Sequence, residues 1–436
     1  MIQPIIRLER ADVIPLVEAG KAKPRDYSNV TELSLLVDAT SACQLACGYC
    51  YYGSKGCKLM DPEKLYSALT KFIVAFGSQV KKVKVHYMGG EPLIAWDRIL
   101  ELNHKMRDFC EVSQLYFYWS LTSNLVALDQ EKSDLMIKEG AGIHCSVDGP
   151  KIIQDQNRPF RSGKGSFETV DRNIPLALAI TPNDTARATI TPFSAHHLPE
   201  ITEYFFDKGF KTVGLFPAHN LEWKQEDFDA WEKGIRKAYE IAVARNGEIA
   251  SVLRGNPHKE LRFGYCGAGK GLWAFDSQGV LYDCHHLTNH LEYAMIDAAE
   301  ASPEMIKEAL LAKSFSPQRI PIIPEKCQAC SAKSYCGGGC WAENLTFAND
   351  AYLPEPNSCV FKQITFESLK DALTEPADDN NRDEIYACWL AKVCCMISCD
   401  EEQNSCSDCH GYESGDADCC DGCHDGLHCC RGHSNV

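Results

Sequence analysis

The chain has 436 residues, of which 45% are hydrophobic and 10% aromatic, and 44 Lys and Arg against 60 Asp and Glu give a formal charge of −16. This composition is typical of a globular protein large enough for two or three domains. The acidic balance excludes bulk electrostatic binding of nucleic acid, because nucleic-acid-binding domains are usually basic. Residues 1–20 lack a basic start followed by an apolar stretch, so we expect no export signal, no membrane span and a cytoplasmic location.

The first 220 residues alternate between strand and helix patterns, which favours a parallel sheet crossed by helices. Six such units fit a partial, TIM-like (βα)6 barrel of the α/β class, whose ligands bind at the carboxyl ends of the strands. The predicted strands are Glu32–Val37, Val83–Tyr87, Leu115–Leu121, Gly142–Val147, Ala186–Thr191 and Thr212–Phe216. The predicted helices include Asp61–Ala75, Trp96–Glu111, Leu198–Lys208 and Glu226–Arg245.

Cysteine is the unusual component, with 24 residues. Disulfides are normally kept reduced in the cytoplasm, so these thiols indicate metal or iron–sulfur binding. Their distribution predicts four segments: an N-terminal extension (1–29), a barrel (30–255), a small cysteine-rich domain (256–370) and an acidic Cys/His-rich tail (371–436).

The loop after the first predicted strand carries Cys43, Cys47 and Cys50 in the spacing CxxxCxxC. Three thiolates on one loop can hold three irons of a 4Fe–4S cluster and leave the fourth iron open for a chelating ligand. A zinc loop is the alternative for this motif taken alone.

This triplet, with Tyr49 before its last cysteine, resembles the signature of the radical SAM superfamily. The resemblance implies a 4Fe–4S cluster that binds S-adenosylmethionine (SAM) and cleaves it to methionine and a 5'-deoxyadenosyl radical. It also implies an oxygen-sensitive enzyme that receives electrons from a flavodoxin or ferredoxin.

Motifs at the following strand ends resemble the same family. Gly89–Pro92 is similar to the GGEP motif, Thr122–Asn124 stands where Thr-Asn-Gly is frequent, and Ser146–Pro150 is similar to SxDGP. Leu125 replaces the usual Gly. The SAM contacts that the resemblance implies are Tyr49, Gly89, Gly90, Glu91, Asn124, Ser146 and Arg187.

Two further motifs and one arginine belong to this comparison. Gln154–Arg158 and Gly163–Phe167 resemble the HDxxR and GxGSF motifs of the peptide-modifying branch, with Gln154 where His is usual. Arg187 can pair with the SAM carboxylate, because a guanidinium fork matches a carboxylate. A surface charge at a strand end is the alternative for Arg187.

The second cysteine region closely resembles the SPASM domain, a two-cluster extension of radical SAM enzymes that modify peptides and proteins. Its motif residues are Cys266, Gly279, Cys284, Cys327, Cys330, Cys336, Cys340 and Cys359. By resemblance, Cys327, Cys330, Cys336 and Cys359 hold one auxiliary 4Fe–4S cluster, and Cys266, Cys284 and Cys340 hold another. Structural zinc sites are the alternative.

One auxiliary cluster therefore lacks a fourth ligand. Cys57, Cys110, a cysteine of the tail or a thiol of the substrate can supply it. Cys57, Cys110 and Cys145 carry no motif, and the default expectation for them is buried thiols acting as small hydrophobic side chains.

His285 follows Cys284 at the position where anaerobic sulfatase maturases have an aspartate base. An imidazole can also accept a proton near neutral pH, so we predict His285 as the catalytic base. A solvated or hydrogen-bonded loop histidine is the alternative. The exchange of Asp for His disfavours sulfatase maturation without excluding it.

The tail contains 13 Asp and Glu against 3 Lys and Arg in residues 376–436, and 11 of the 24 cysteines. Cys406–His410 and Cys420–His424 both match CxxCH, the haem attachment pattern. Haem is disfavoured because the tail has few large apolar residues to enclose a porphyrin. Zinc or a further iron–sulfur cluster suits its thiols and imidazoles. A disordered acidic tail and a segment that resembles the substrate are the alternatives.

The resemblance implies a maturase that crosslinks a ribosomally synthesised peptide through a thioether or carbon–carbon bond, with a precursor peptide or protein as its partner. Fewer residues precede Cys43 than a winged-helix leader-binding domain needs, so we expect leader recognition elsewhere. The alternatives are a protein side-chain maturase, such as a sulfatase formylglycine maturase, and a non-catalytic iron–sulfur electron carrier.

Overall fold

The structure, a computed structural model, describes residues 5–21, 23–53, 55–253, 266–318 and 322–374. Its strands are β1 (Glu32–Thr40), β2 (Lys82–Gly89), β3 (Tyr116–Ser123), β4 (Gly142–Cys145), β5 (Thr185–Ile190), β6 (Thr212–Pro217), β7 (Glu248–Ala250), β8 (Leu272–Phe275), β9 (Val280–Tyr282) and β10 (Ile296–Asp297). Its helices are α1 (Arg10–Lys21), α2 (Pro62–Phe76), α3 (Trp96–Val112), α4 (Gln130–Lys138), α5 (Lys151–Asn157), α6 (Phe167–Ile180), α7 (Pro192–Ala195), α8 (Leu198–Asp207), α9 (Gln225–Ala244), α10 (Pro303–Ala312), α11 (Glu325–Gln328), α12 (Trp341–Ala348) and α13 (Pro356–Thr374). The cysteine motifs predicted in the tail lie outside the described residues.

The barrel is built as the sequence predicted. Strands β1 to β4 pair in parallel in one sheet, β5 to β7 pair in parallel in a second, and an isolated bridge between Ser146 and Arg187 connects them. Helices separate the first six strands along the chain, so the predicted α/β partial barrel is confirmed.

Alternation along β2 shows why these residues form a strand. Val83, Val85 and Tyr87 are buried, whereas Lys82, Lys84 and His86 are only half-buried. Successive side chains of a strand point to opposite faces, so one face packs on helices and the other lines the barrel. The sequence located the six barrel strands and the four helices that it predicted to within three residues at each end.

Four short strands were not predicted. β7 pairs with β6, and β8 pairs in parallel with β1, so the barrel sheet continues across the predicted boundary near residue 256 into the second cysteine region. Segments of two to four residues carry too little periodicity to be identified. As a result, this region stands beside the first strand of the barrel.

One main hydrophobic core fills the space between sheet and helices, and it contains the buried Trp119, Trp231 and Trp273. Two smaller clusters lie under the second cysteine region and under α1. None of the helices in the described ranges is both long and apolar enough to cross a membrane.

Candidate active site

The first cysteine loop (residues 41–60) follows β1 at the carboxyl end of the sheet. Cys43 is buried, and Cys47 and Cys50 are half-buried. Burial raises the pKa of Cys47 to about 11, and the nearby thiols of Cys50 and Cys43 raise it further although Arg158 lowers it. A coordinated metal deprotonates a thiol, so this donor set fits the predicted three-cysteine iron–sulfur site.

Two glycines bring the end of β2 against this loop. The amide of Gly90 donates to the carbonyl of Thr40 at 2.7 Å, and that of Glu91 donates to the carbonyl of Ala42 at 2.8 Å. A Cβ atom on Gly90 would lie 2.1 Å from the Ala42 oxygen, so no side chain fits there. Gly89 has φ of +117°, which favours glycine. Both glycines therefore position the loop, and their contact with SAM stays a prediction.

Glu91 joins the ends of β2 and β3. Its carboxylate is buried and accepts hydrogen bonds from Ser123 Oγ and the Asn124 amide, both at 2.8 Å, and from the Leu93 amide at 3.2 Å. Burial raises the pKa of Glu91 to about 7, against the effect of these hydrogen bonds. Asn124 Nδ2 donates to Cys43 Sγ at 3.6 Å. The two motifs therefore support the cysteine loop, in addition to their predicted role toward SAM.

Leu125 explains why this position usually holds glycine. It is buried and has φ of +64°, in the left-handed region. This conformation costs a non-glycine residue roughly 1–2 kcal/mol. Hydrogen bonds from its amide to Ser123 Oγ and from Asn173 Nδ2 to its carbonyl, both at 2.9 Å, hold it in place.

The SxDGP motif contributes a buried carboxylate, Asp148. Tyr49 donates its hydroxyl to Asp148 Oδ2 at 2.6 Å, Arg158 Nε lies 2.9 Å from Oδ1, and the Thr189 amide donates to Oδ1 at 2.9 Å. The guanidinium of Arg158 also lies 5.4 Å from the centre of the Tyr49 ring. Asp148 therefore connects Tyr49, within the first cysteine loop, to β5 and, through the ion pair, to the end of α5.

Gln154 connects the SxDGP motif to the two motifs that follow it. Its side chain is buried, its oxygen accepts from the Asp148 amide at 2.9 Å, and its nitrogen donates to Ser166 Oγ at 3.0 Å. Ser166 Oγ donates in turn to the carbonyl of Arg158 at 2.7 Å. The side chain at this position has to provide one hydrogen-bond acceptor and one donor, and a neutral imidazole also provides one of each. The three motifs thus form one buried network.

Polar side chains from β2, β3 and β4 line the barrel below the strand ends. His86 Nδ1 lies 2.7 Å from Ser120 Oγ, and its Nε2 lies 2.9 Å from Thr122 Oγ1. The His144 ring is 5.4 Å from that of His86, and His144 Nδ1 lies 2.8 Å from Asp184 Oδ1. Periodicity placed His86 within a strand, but only the barrel closure brings these residues together.

Arg187, on β5, lies near these side chains. Burial of each ring lowers the pKa of His86 and of His285, and the charge of Arg187 lowers both pKa values further, so Arg187 lies near both rings. Its neighbour across the strand bridge is Ser146. Arg187 is exposed, and its contact with SAM stays a prediction.

The thiols of Cys266, Cys284 and Cys340 come together in the second region. Cys284 is buried, and burial raises its pKa with added contributions from Cys340 and Cys266. Asp283 anchors this turn. Its carboxylate accepts hydrogen bonds from Ser314 Oγ at 2.9 Å and from the backbone amides of the two residues that follow Ser314. That these three thiols share an auxiliary cluster stays a prediction.

His285 faces the first cysteine loop. The ring centre of Tyr51 lies 5.5 Å from that of His285, and Tyr51 stacks on His286 at 4.5 Å. Burial lowers the pKa of His285 well below its usual value, together with the charges of His286, His86 and Arg187. The imidazole is therefore uncharged near neutral pH, and its side chain is half-buried. Its role as the catalytic base stays a prediction.

The remaining four motif cysteines line one cavity, together with Ile6, Leu8 and Gln363. Burial raises the pKa of Cys327 to about 12, with further contributions from Cys336 and Cys330, and the same three thiols raise the pKa of Cys359. Gly338 and Gly339 have φ of +86° and +83° and let the backbone turn beside these thiols. Four converging thiols fit the predicted auxiliary cluster by the chemistry of their donors.

The barrel cysteines without a motif divide into two kinds. Cys110 and Cys145 are buried in the main core, as expected for small hydrophobic side chains. Cys110 is thereby enclosed and unavailable as the missing cluster ligand. The same expectation was wrong for Cys57, which is exposed because its loop turns outward. Among the described residues, no three Cys, His, Asp or Glu side chains form a group that could hold a single metal ion.

Two residues near the site were not predicted from the sequence. Lys55 Nζ donates to Cys50 Sγ at 2.9 Å. Asp38, on β1, is buried and hydrogen-bonded to Tyr52 and Thr288. Its place between hydrophobic residues of β1 was the available clue, since a buried carboxyl needs partners.

Residues 37–205 match the Radical SAM superfamily. The chain is 26% identical over 349 residues to a cysteine-type anaerobic sulfatase-maturating enzyme of Clostridium perfringens, covering 71% of this chain and 88% of the relative. It is 25% identical over 354 residues to a serine-type anaerobic sulfatase-maturating enzyme of Klebsiella aerogenes, covering 76% of this chain and 83% of the relative.

Two solved structures share the fold. Native anSMEcpe with bound AdoMet and Cp18Cys peptide has a TM-score of 0.63 and 20% identity, over 81% of this chain and 99% of that one. Streptococcus suis SuiB bound to precursor peptide SuiA has a TM-score of 0.54 and 15% identity, over 80% and 79% of the two chains.

Proposed function

This chain belongs to the radical SAM superfamily, and we propose that it modifies a ribosomally synthesised peptide, forming a thioether or carbon–carbon crosslink after abstraction of a hydrogen atom. One observation carries the proposal. Tyr51, next to Cys50, contacts His285, next to Cys284, so the two cysteine regions meet beside the barrel interior. A substrate carbon between them would lie close to both centres. A non-catalytic carrier would have no need of this arrangement.

Cys43, Cys47 and Cys50 would hold the cluster, and Ser146 and Arg187 would contact SAM. With both bound, these residues would hold a group that supplies 5'-deoxyadenosyl radical chemistry, which removes a hydrogen atom from a substrate carbon. Tyr49 is immobilised by Asp148 and Arg158, which keeps the cysteine loop in place during the reaction.

The second region would complete the oxidation. Auxiliary clusters at the two cysteine sets would accept the remaining electron or bind a substrate thiolate, with a flavodoxin or ferredoxin as the external electron donor. His285 would accept the proton that the substrate loses, because its ring lies beside Tyr51, where the two cysteine regions meet. The product then has two hydrogens fewer than the substrate.

Maturation of a sulfatase is the second candidate, and the relatives named above favour it. They act on sulfatases according to their names, and anSMEcpe was crystallised with a peptide. The residue after Cys284 disfavours sulfatase maturation, since His285 stands where those enzymes have their aspartate base.

The first experiment tests the chemistry without any substrate. Protein reconstituted under anaerobic conditions and reduced with dithionite should convert SAM to 5'-deoxyadenosine. The Cys43→Ala, Cys47→Ala, Cys50→Ala triple variant should form none. Lys58→Ala, in the same loop but at an exposed side chain, is the control and should retain the activity. Equal activity in the triple variant would reject the assignment of the first site.

A second experiment separates the two substrates. The enzyme is incubated with a single-cysteine sulfatase-type peptide and with a short cysteine-containing peptide encoded beside the gene. The proposal expects loss of two hydrogens and a protease-resistant crosslink in the second peptide only. Formylglycine in the first peptide would establish the alternative instead. His285→Ala should retain 5'-deoxyadenosine formation but lose the oxidised product, whichever peptide is the substrate.

A further inference from the structure

The residues that precede α1 form part of the wall of the outer cysteine cavity. Ile6 and Leu8 line it together with Cys327, Cys330, Cys336 and Cys359. Leu8 packs with residues of α1 and the loops around Ile323 and Tyr352 in a small cluster of its own. A segment far from these cysteines in sequence therefore encloses them in space.

Gln363 ties this segment to one of the cysteines. Its side chain is buried, its Oε1 accepts from the Ile6 amide at 2.9 Å, and its Nε2 donates to the Ile6 carbonyl at 3.0 Å. The same Nε2 donates to the carbonyl of Cys359 at 3.0 Å. One carboxamide thus completes a strand-like pair with Ile6 and binds a cysteine of the cavity.

Helix α1 anchors the segment from the other side. Val13 and Leu16 are buried against Tyr352, and a Cβ on Gly20 would lie 2.1 Å from the Tyr352 hydroxyl oxygen, so helix and loop are in direct contact. Asp12 pairs with Lys326 at 2.9 Å, and its charge contributes to the raised pKa of the adjacent Cys327.

We propose that the N-terminal segment (residues 5–21) is a structural part of the outer auxiliary iron–sulfur site and shields it from solvent and oxidants. The inference rests on the auxiliary-cluster part of the proposed function. Solvent exposure and hydrogen bonds around a cluster set its reduction potential and its access to water. Apolar Ile6 and Leu8 exclude water, and Gln363 fixes them against Cys359.

The test uses the full chain, reconstituted with iron and sulfide. Gln363→Leu removes all three hydrogen bonds at similar volume, and Leu8→Ser makes the wall polar. Ile14→Ser is the matched control, because Ile14 lies on the exposed side of α1, 49% exposed. The measurements are the rate of iron transfer to a ferrous chelator after exposure to air, and the reduction potentials by EPR titration.

Both cavity variants should release the outer-site iron roughly tenfold faster than wild type, since loss of an outer-shell partner typically weakens metal sites 10- to 100-fold. The potential of that cluster should shift, and the SAM-perturbed signal of the first cluster should not. Ile14→Ser should behave as wild type. The circular dichroism spectrum verifies folding, and Leu8→Ser decides the outcome if Gln363→Leu unfolds.

The iron in question is identified by its loss from a Cys327→Ala, Cys330→Ala variant. If that variant keeps the full iron content, the cluster does not exist, and both the auxiliary-cluster proposal and the shield are wrong. If it loses iron while both cavity variants release iron at the wild-type rate with unchanged potentials, the shield alone is overturned.

Discussion

The first cysteine loop and the second cysteine region are held in place by different kinds of contact. Besides the contact of Tyr49 with Asp148, the first loop makes backbone hydrogen bonds to β1 and to the residues after α5, such as Met60 to Ala39 at 2.9 Å and Ala46 to Pro159 at 2.8 Å. In the second region single buried side chains perform this task. Asn344, for example, donates to the carbonyls of Gly338 and Ala351 and accepts from the Glu355 amide.

This difference in contacts indicates which of the two regions depends more on metal binding for its folding free energy. The first loop ends at Met60, which is buried in the main core. The second region shares that core through Trp273 and Phe361, but Cys284 belongs to a separate small cluster, so we expect metal binding to contribute to the local folding free energy around these thiols.

The largest expected effect comes from the ion pair that anchors the first loop. Arg158→Met leaves the carboxylate of Asp148 buried without its charge partner, which should lower the free energy of unfolding of the barrel by about 3–5 kcal/mol. Denaturant titration followed by circular dichroism measures this change. Arg161→Met, at an exposed site nearby, is the control. Equal midpoints for both variants would mean that the ion pair does not hold the loop.

Asp38 lies where the two regions meet, and it makes the stability depend on pH. Burial raises its pKa from 3.8 to about 7 in the folded chain, with hydrogen bonds from Thr288 and Tyr52 opposing the rise. The folded chain therefore retains a proton between these values that the unfolded chain loses. This contribution to stability is complete below pH 3.8 and is lost as the pH rises through 7.

Asp38→Asn should abolish this pH-dependent decrease in the free energy of unfolding, which amounts to a few kcal/mol at most. Thermal melts between acidic and neutral pH compare the variant with wild type. A wild-type slope that persists in Asp38→Asn would assign the pH dependence to another group.

Alanine substitutions at two glycines test the contact between β2 and the first loop. Gly90→Ala places a Cβ against the Ala42 carbonyl, and overpacking of this kind typically costs about 1–3 kcal/mol. The loop should shift, and formation of 5'-deoxyadenosine should fall. Gly48→Ala, within the loop itself, meets no atom within 4 Å and should leave both quantities unchanged. Similar losses in the two variants would contradict the close-contact explanation.

The smallest effect is expected at Gln154. Gln154→His keeps one acceptor for the Asp148 amide and one donor for Ser166, so the midpoint of unfolding should change little. Gln154→Leu leaves both partners unsatisfied and should cost roughly 1–3 kcal/mol. Thermal melts of the two variants compare these costs directly. If Gln154→His destabilises as much as Gln154→Leu, the glutamine has a role that an imidazole cannot replace.

Prediction from sequence succeeded where the pattern was local. Alternation located β2, and the fixed spacing of Cys43, Cys47 and Cys50 identified a three-thiol loop, because these signals lie within a few residues of each other. It failed for β8, which is short and pairs with β1 across more than two hundred residues of chain. The exposure of Cys57 was also missed, since burial depends on the path of the loop.

The sequence by itself determined the partial barrel, the three sets of cysteines and the strand-end motifs, because periodicity and motif spacing are properties of short stretches. Only the tertiary structure decided that Glu91, Asp148 and Gln154 support the cysteine loop from within and that residues 5–8 close the outer cavity. These contacts join segments distant along the chain, and they form only when the whole barrel and the second region are packed together.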